Sequence, residues 1–259
     1  MPKKIDCDVI ILCAQDEEYS SVYKIFGTKP KTPPKKIKIL NSTESVDFIV
    51  YNKHTITLFK IGDISNIPSA LYTEKLLNSF NAKHIFFVGS ACGRSDKTKV
   101  GDVVITTIVI DHRMSRLTNN GNPSPRWNMY SGNKKFTRQL REYVICESQR
   151  KPGSIHQRKA GSIHWRHIIS DDNVINFTDS QENIRFFKGI HDSAYAYDME
   201  SAGFAYACSE CEDTVFWVVV RGISDHGIEG SSKKHKIAAR EAARWLSQCI
   251  KDLGIPPFV

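Results

Sequence analysis

A chain of 259 residues is the size of one large domain, because a single core grows to roughly 250–300 residues before it divides, and no interior Gly, Pro and Ser run is long enough to require two. With 41% hydrophobic and 25% charged residues, disorder and fibre are excluded, and no apolar stretch approaches the roughly 20 residues that span a bilayer. The formal net charge of +8 favours anionic partners such as nucleotides, but the basic residues are dispersed. The densest group, at 29–38, lacks interleaved aromatics and reads as a solvated loop, so neither a nucleic-acid nor a membrane partner is expected.

Residues 1–8 run straight into a strand, with no apolar core of a secretory signal. Residues 9–14 form the first central strand and 16–26 a helix, whose acidic start at Asp16, Glu17 and Glu18 suits the positive end of the helix dipole. Residues 46–50 and 54–59 read as a hairpin around Asn52-Lys53. A helical pattern covers 64–80, with Pro68 tolerated near its start.

Residues 84–88 are the next buried strand, followed by a small-residue turn, Gly89-Ser90-Ala91-Cys92-Gly93, where backbone can approach a ligand closely. A further strand spans 101–110. The polar stretch 111–133 reads as a loop serving as lid or pocket wall. Residues 136–147 form a helix, and a basic connector follows in which Gly-Ser-Ile-His occurs at 153–156 and 161–164, too little for a repeat architecture. Residues 168–175 are a strand and its exit, 194–197 precede a helix containing Glu200, 217–220 are the last strand, and 237–250 are the C-terminal helix.

Strands alternate with helices in α/β order, with the hairpin and inserts breaking a simple doubly wound pattern. The turn at 89–93 is not a GxGxxG, and no GxxxxGK[ST] occurs. The seven cysteines, at 7, 13, 92, 146, 208, 211 and 249, are an odd number in a chain that needs no staples. They read as reduced thiols of a cytoplasmic protein. Cys208 and Cys211 have CxxC spacing but no second pair, so no metal site and no cofactor are expected.

Three carboxylates stand at strand exits. Suppose the reaction is cleavage of a purine N-glycosidic bond: it needs a proton donor at the base and a means of bringing water to C1′. Asp225, past the unbroken apolar run 217–220, is the choice for the acid, with a turn cap as its structural alternative. Glu200 can accept hydrogen bonds from ribose hydroxyls beside the soft thioether of Met199, or simply favour a helix start. Glu17 can orient or deprotonate water, or belong to a surface acidic cluster. Arg221 reads as a structural salt bridge. Ser90, Ala91 and Gly93 offer backbone to base or ribose, Val174 and Ile175 can sandwich an adenine, and Asn173 or Ser224 can orient the ring or Asp225.

The ordered combination of Cys13-Ala14-Gln15-Asp16-Glu17-Glu18, Val88-Gly89-Ser90-Ala91-Cys92-Gly93, Lys99-Val100-Gly101-Asp102-Val103-Val104, Asp198-Met199-Glu200 and Arg221-Gly222-Ile223-Ser224-Asp225 carries a resemblance over about 9–250. The chain resembles the nucleoside phosphorylase and nucleosidase superfamily, especially methylthioadenosine/adenosylhomocysteine nucleosidases and nucleosidase domains of signalling or defence proteins. The resemblance implies a twisted mixed β-sheet surrounded by helices and a homo-oligomer, often with a partner subunit completing the pocket. It implies Glu17 at the water, Met199 and Glu200 at the sugar, and Asp225 as the acid. Ser90, Ala91 and Gly93 would lie beside the ligand, with Val174 and Ile175 facing adenine.

Two departures stand out: Asp63-Ile64-Ser65-Asn66 where a glycine-rich turn is usual, and Asp171 in place of a small residue. The arginines with which related phosphorylases hold phosphate are replaced by Gln15-Asp16-Glu17-Glu18 and Phe87-Val88, which favours hydrolysis over phosphorolysis. The expected activity is hydrolysis of a purine nucleoside or nucleotide, adenine above all. A phosphorylase and an inactive purine-binding sensor are the alternatives. Arg113, Arg116, Arg126 and Lys134 are candidate contacts for a 5′-phosphate.

Overall fold

The computed structural model describes residues 3–27, 35–40, 42–117, 123–149, 161–211, 215–228 and 234–253. Most of the basic loop and connector, the first Gly-Ser-Ile-His and the side chain of Arg116 lie outside them. At the centre, the strand Val9–Cys13 pairs in parallel with His84–Gly93, which pairs in parallel with Phe216–Asp225. These belong to a 12-stranded mixed sheet. Alternate residues of the central strands enter opposite cores: Ile10, Leu12, Phe87 and Val219 on one face, Ile11, Cys13, Val88 and Val220 on the other. Burial on both faces is why these strands read as unbroken apolar runs.

The helices are Asp16–Phe26, Asn66–Ser79, Lys134–Gln149, Ser180–Ile190, Ser201–Ser209 and His235–Leu253. The expected α/β architecture, a mixed sheet surrounded by helices, is what the structure shows. Among the described residues no helix is long and apolar enough to cross a membrane. The hairpin joins Ser45–Tyr51 to His54–Lys60 through Asn52 and Lys53, at φ 49° and 71°, the left-handed pair that matches strand twist. Helices Asn66–Ser79 and Ser201–Ser209 touch backbone to backbone, since a Cβ on Gly203 would lie 1.8 Å from the Asn66 carbonyl oxygen.

Several local expectations are corrected. Residues 89–93 are no turn but the end of the strand His84–Gly93, held there by the long parallel register with Phe216–Asp225. The 101–110 stretch divides into Val103–Thr106 and Ile108–Asp111. Residues 111–133 are not a free loop: Ser115–Leu117 pairs with Pro123–Pro125, and Asn128–Ser131 adds antiparallel to Ile108–Asp111. Part of the basic loop is an edge strand, Lys35–Lys38, on Ser45–Tyr51, and lysines suit an edge because they discourage further pairing. The helix Ser180–Ile190, absent from the sequence reading, had a legible start: Asp179 accepts from the Glu182 backbone N–H at 2.9 Å, an N-cap pattern.

Candidate active site

The carboxyl ends of the parallel strands open onto one cavity, the usual location in such sheets. Its volume of about 280 Å³ is close to the lower end of the roughly 300–1,000 Å³ of small-molecule sites. Consecutive residues of a regular strand point to opposite faces, yet both Ser224 and Asp225 line the cavity. The register slips there: Ile223 faces Ala91 and Asp225 faces Cys92, leaving Ser224 as the extra residue of a bulge. Asp225, 5% exposed, accepts from the Gly227 N–H at 2.7 Å on one oxygen and lies 2.7 Å from the Ser224 hydroxyl on the other.

A buried charge cluster borders the same cavity. Glu18, 2% exposed, accepts from the Ala14 and Gln15 N–H groups at 3.0 and 3.3 Å through Oε2. Its Oε1 accepts from the Ser90 N–H at 2.7 Å and the Ser90 hydroxyl at 3.0 Å. The guanidinium of Arg221, fully buried, donates to Asp198 at 2.7 Å and Glu200 at 3.2 Å. It approaches Glu18 at 4.0 Å and lies over the Phe87 ring. Asp198 also accepts from the Glu200 and Ser201 N–H groups, fixing the start of Ser201–Ser209. Gly89 must be glycine here, because a Cβ would stand 2.1 Å from Arg221 Nη1 and 2.5 Å from Glu18 Oε1.

One cation shared by three carboxylates leaves excess negative charge. Burial therefore pushes the Glu200 carboxyl up to about 8 against the pull of Arg221, with Asp198 and Glu18 adding to the rise. Near neutrality Glu200 holds a proton and can both donate and accept.

The cavity collects most of the expected residues: Ser90, Ala91, Val174, Ile175, Met199, Glu200, Ser224 and Asp225. Glu17, an expected site residue, does not line the cavity, whereas its neighbour Glu18 does. Helical neighbours differ by about 100° in direction, so Glu17 faces solvent while Glu18, the third helical residue, folds back on the helix start. Gly93 does not line the cavity; it packs against Thr98 and Ile223 and accepts from Asn183. Asn173 is exposed, bonded to Asp171, with its carbonyl accepting from the Tyr197 hydroxyl.

None of the proposed phosphate contacts with a described side chain lines the cavity. Arg113 is clamped on Asp111 at 2.6 and 2.8 Å, and Arg126 and Lys134 are exposed. Sheet pairing of 128–131 with 108–111 sets this segment's course.

The two departures are braced. Buried Asn66 donates twice to Asp172, at 2.9 and 3.0 Å, and accepts from Ser170 and Gly203. Asp171 bonds His112, the Asp172 N–H and Asn173. Sequence reasoning missed Gln15, Ile64, Cys92, Tyr197, Asp198 and His235 as lining residues. For Glu18 the signal was its N3 position; His235 had none, being ten residues beyond Asp225 at the head of another helix.

A family model described as "Phosphorylase superfamily" matches residues 8–253. ATP nucleosidase Cap17 of Escherichia coli (strain KTE188) is 24% identical over 261 residues, covering 91% of this chain and 49% of that protein. The chain thus spans about half the length of the curated relatives it matches. The structure is similar to futalosine hydrolase of Helicobacter pylori strain 26695, with TM-score 0.72, 19% identity, and 95% and 98% of the two chains covered. It is equally similar to 5′-methylthioadenosine/S-adenosylhomocysteine nucleosidase from Neisseria meningitidis in complex with methylthio-immucillin-A, with TM-score 0.72, 19% identity, and 95% and 99% covered.

Proposed function

The chain belongs to the phosphorylase superfamily, and on that premise we propose that it hydrolyses the N-glycosidic bond of an adenine nucleoside or nucleotide, releasing the free base. The observation that carries this reading is one cavity lined by three carboxyl residues, Glu18, Glu200 and Asp225. Asp225 gives a proton to the purine as the base leaves, Glu200 and Met199 hold the ribose, and Glu18 takes a proton from the attacking water. Val174 and Ile175 pack on the base, and Ser90 and Ala91 border the sugar.

Hydrolysis rather than phosphorolysis is supported by charge. The described lining contains neither lysine nor arginine, so it offers no fixed cation to hold inorganic phosphate. A nucleotide substrate is the second reading, favoured by the match to an ATP nucleosidase over 91% of this chain. Incubation with methylthioadenosine, adenosine, AMP and ATP, with and without phosphate, tests both by chromatography of released base. No base from any of the four refutes the hydrolase; phosphate-dependent release makes it a phosphorylase. Binding without release makes it a sensor.

Glu18→Gln is expected to lower kcat by about 10²-fold, whereas Glu17→Gln leaves turnover unchanged. Equal losses in the two variants would remove Glu18 from the water.

We also propose a homo-oligomer. Ile67 and Leu71, 72% and 47% exposed, share one face of Asn66–Ser79, close to the cavity residue Ile64. Sedimentation should show the wild type larger than one chain and Ile67→Glu shifted toward monomer; a monomeric wild type rejects this. A cytoplasmic setting is proposed as well, on the odd number of cysteines in a chain large enough to need no staples.

A further inference from the structure

Glu18 is enclosed. Four donors occupy its two oxygens: the Ala14 and Gln15 N–H groups on one, the Ser90 N–H and hydroxyl on the other. A proton taken from water must leave before the next turnover. Backbone amides cannot carry it, and the Arg221 guanidinium, 4.0 Å away, does not deprotonate in proteins. The Ser90 hydroxyl is the one group among these partners that can both give and accept a proton. It lies 3.0 Å from Glu18 Oε1 and 2.9 Å from His235 Nδ1.

His235 is half-buried, on the cavity wall, at the first residue of the helix His235–Leu253. Its place is set from the site itself, because the preceding Lys234 N–H donates to the Ser224 carbonyl at 3.1 Å. A buried carboxylate is thereby joined to a partly solvated imidazole through one hydroxyl.

We propose that His235, acting through Ser90, carries the proton removed by Glu18 out of the cavity to solvent, a role that rests on the hydrolase reading above. The water O–H breaks as its oxygen bonds C1′, and the proton passes to Glu18. The Glu18 O–H then gives its proton to Ser90 Oγ while the Ser90 O–H gives its own to neutral His235 Nδ1. The resulting imidazolium releases the Nε2 proton to water. Glu18 is left ionised, Ser90 unchanged, and His235 neutral in the other tautomer, which ring flipping or exchange with solvent resets. The base leaves with the proton of Asp225, which is regained from solvent, so the cycle closes with no other reactant. His235 is a positioning and relay group; Glu18 is the catalytic base.

The test is His235→Asn, whose amide can keep the bond to Ser90 but cannot shuttle a proton. Because only resetting is impaired, the first turnover should run at the wild-type rate, giving a stoichiometric burst of base. The steady-state kcat should then fall about tenfold, with KM held within about twofold. Added imidazole should restore steady-state kcat in the variant and leave the wild type unaffected. An unchanged kcat, a loss already present in the first turnover, or a loss that imidazole does not rescue overturns the relay. Absence of base release by the wild type is a separate outcome: it removes the hydrolase reading, and the relay with it.

Discussion

Asp225→Asn is expected to reduce kcat for base release by about 10²–10⁴-fold while KM and the melting temperature stay near wild type. The side chain is held at both oxygens, by the Gly227 N–H and the Ser224 hydroxyl at 2.7 Å each. An amide of the same shape satisfies both anchors. Its oxygen accepts from Gly227, and its nitrogen donates to Ser224 Oγ, whose own proton turns to the Ala91 carbonyl 3.2 Å away. What the amide lacks is a transferable proton, so the loss falls on the step in which the purine accumulates charge. Steady-state kinetics with calorimetry on the same preparation checks this. Turnover within a factor of about two of wild type would take Asp225 out of the acid role.

The largest stability effect is expected at Arg221→Met. Methionine matches the length of the aliphatic stem but leaves Glu18, Asp198 and Glu200, at 2%, 5% and 5% exposure, without their shared cation. Removing one partner from a buried ion pair costs about 3–5 kcal/mol, roughly 10 °C in melting temperature for a chain of this size. The sign of its pH dependence follows from linkage. A carboxyl whose folded-state pKa is raised keeps a proton that the unfolded chain releases, so stability is lost as pH rises between the two values. For Glu200 that window already runs in the wild type from its ordinary 4.5 to about 8, and removing the guanidinium raises the folded value further. The melting deficit of Arg221→Met should therefore be level up to about pH 7 and grow as pH rises past about 8, where Glu200 ionises in the wild type and stays protonated in the variant. A deficit that is constant, or that shrinks with pH, would mean that the three acids do not depend on Arg221.

The agreement between sequence and structure has identifiable sources. Strands buried on both faces leave unbroken apolar runs, which is why 9–14, 84–88 and 217–220 were legible, and an acid shortly beyond the last of these runs marked Asp225. Failures cluster where tertiary pairing overrides local signal. Glycine and serine at 89–93 read as a turn, but the neighbouring strand extends the sheet through them. The polar 111–133 segment read as a lid, yet its end is an edge strand, and its best-placed cation is consumed by Asp111.

By itself the sequence determined the α/β order, the central strands, and the presence of carboxylates at their exits, because alternation and burial are written into local composition. It pointed to Glu17 with nothing local to separate it from Asp16 and Glu18, three acids on one helical turn with the same affinity for its dipole. That choice was made by partners far along the chain, the Ser90 N–H and hydroxyl and the Arg221 guanidinium. Those partners meet Glu18 only when the carboxyl ends of three parallel strands are brought side by side. The same assembly made the expected Arg221 salt bridge a buried hub for three acids and placed His235 within reach of Ser90, since contacts between distant segments depend on sheet order and not on neighbouring residues.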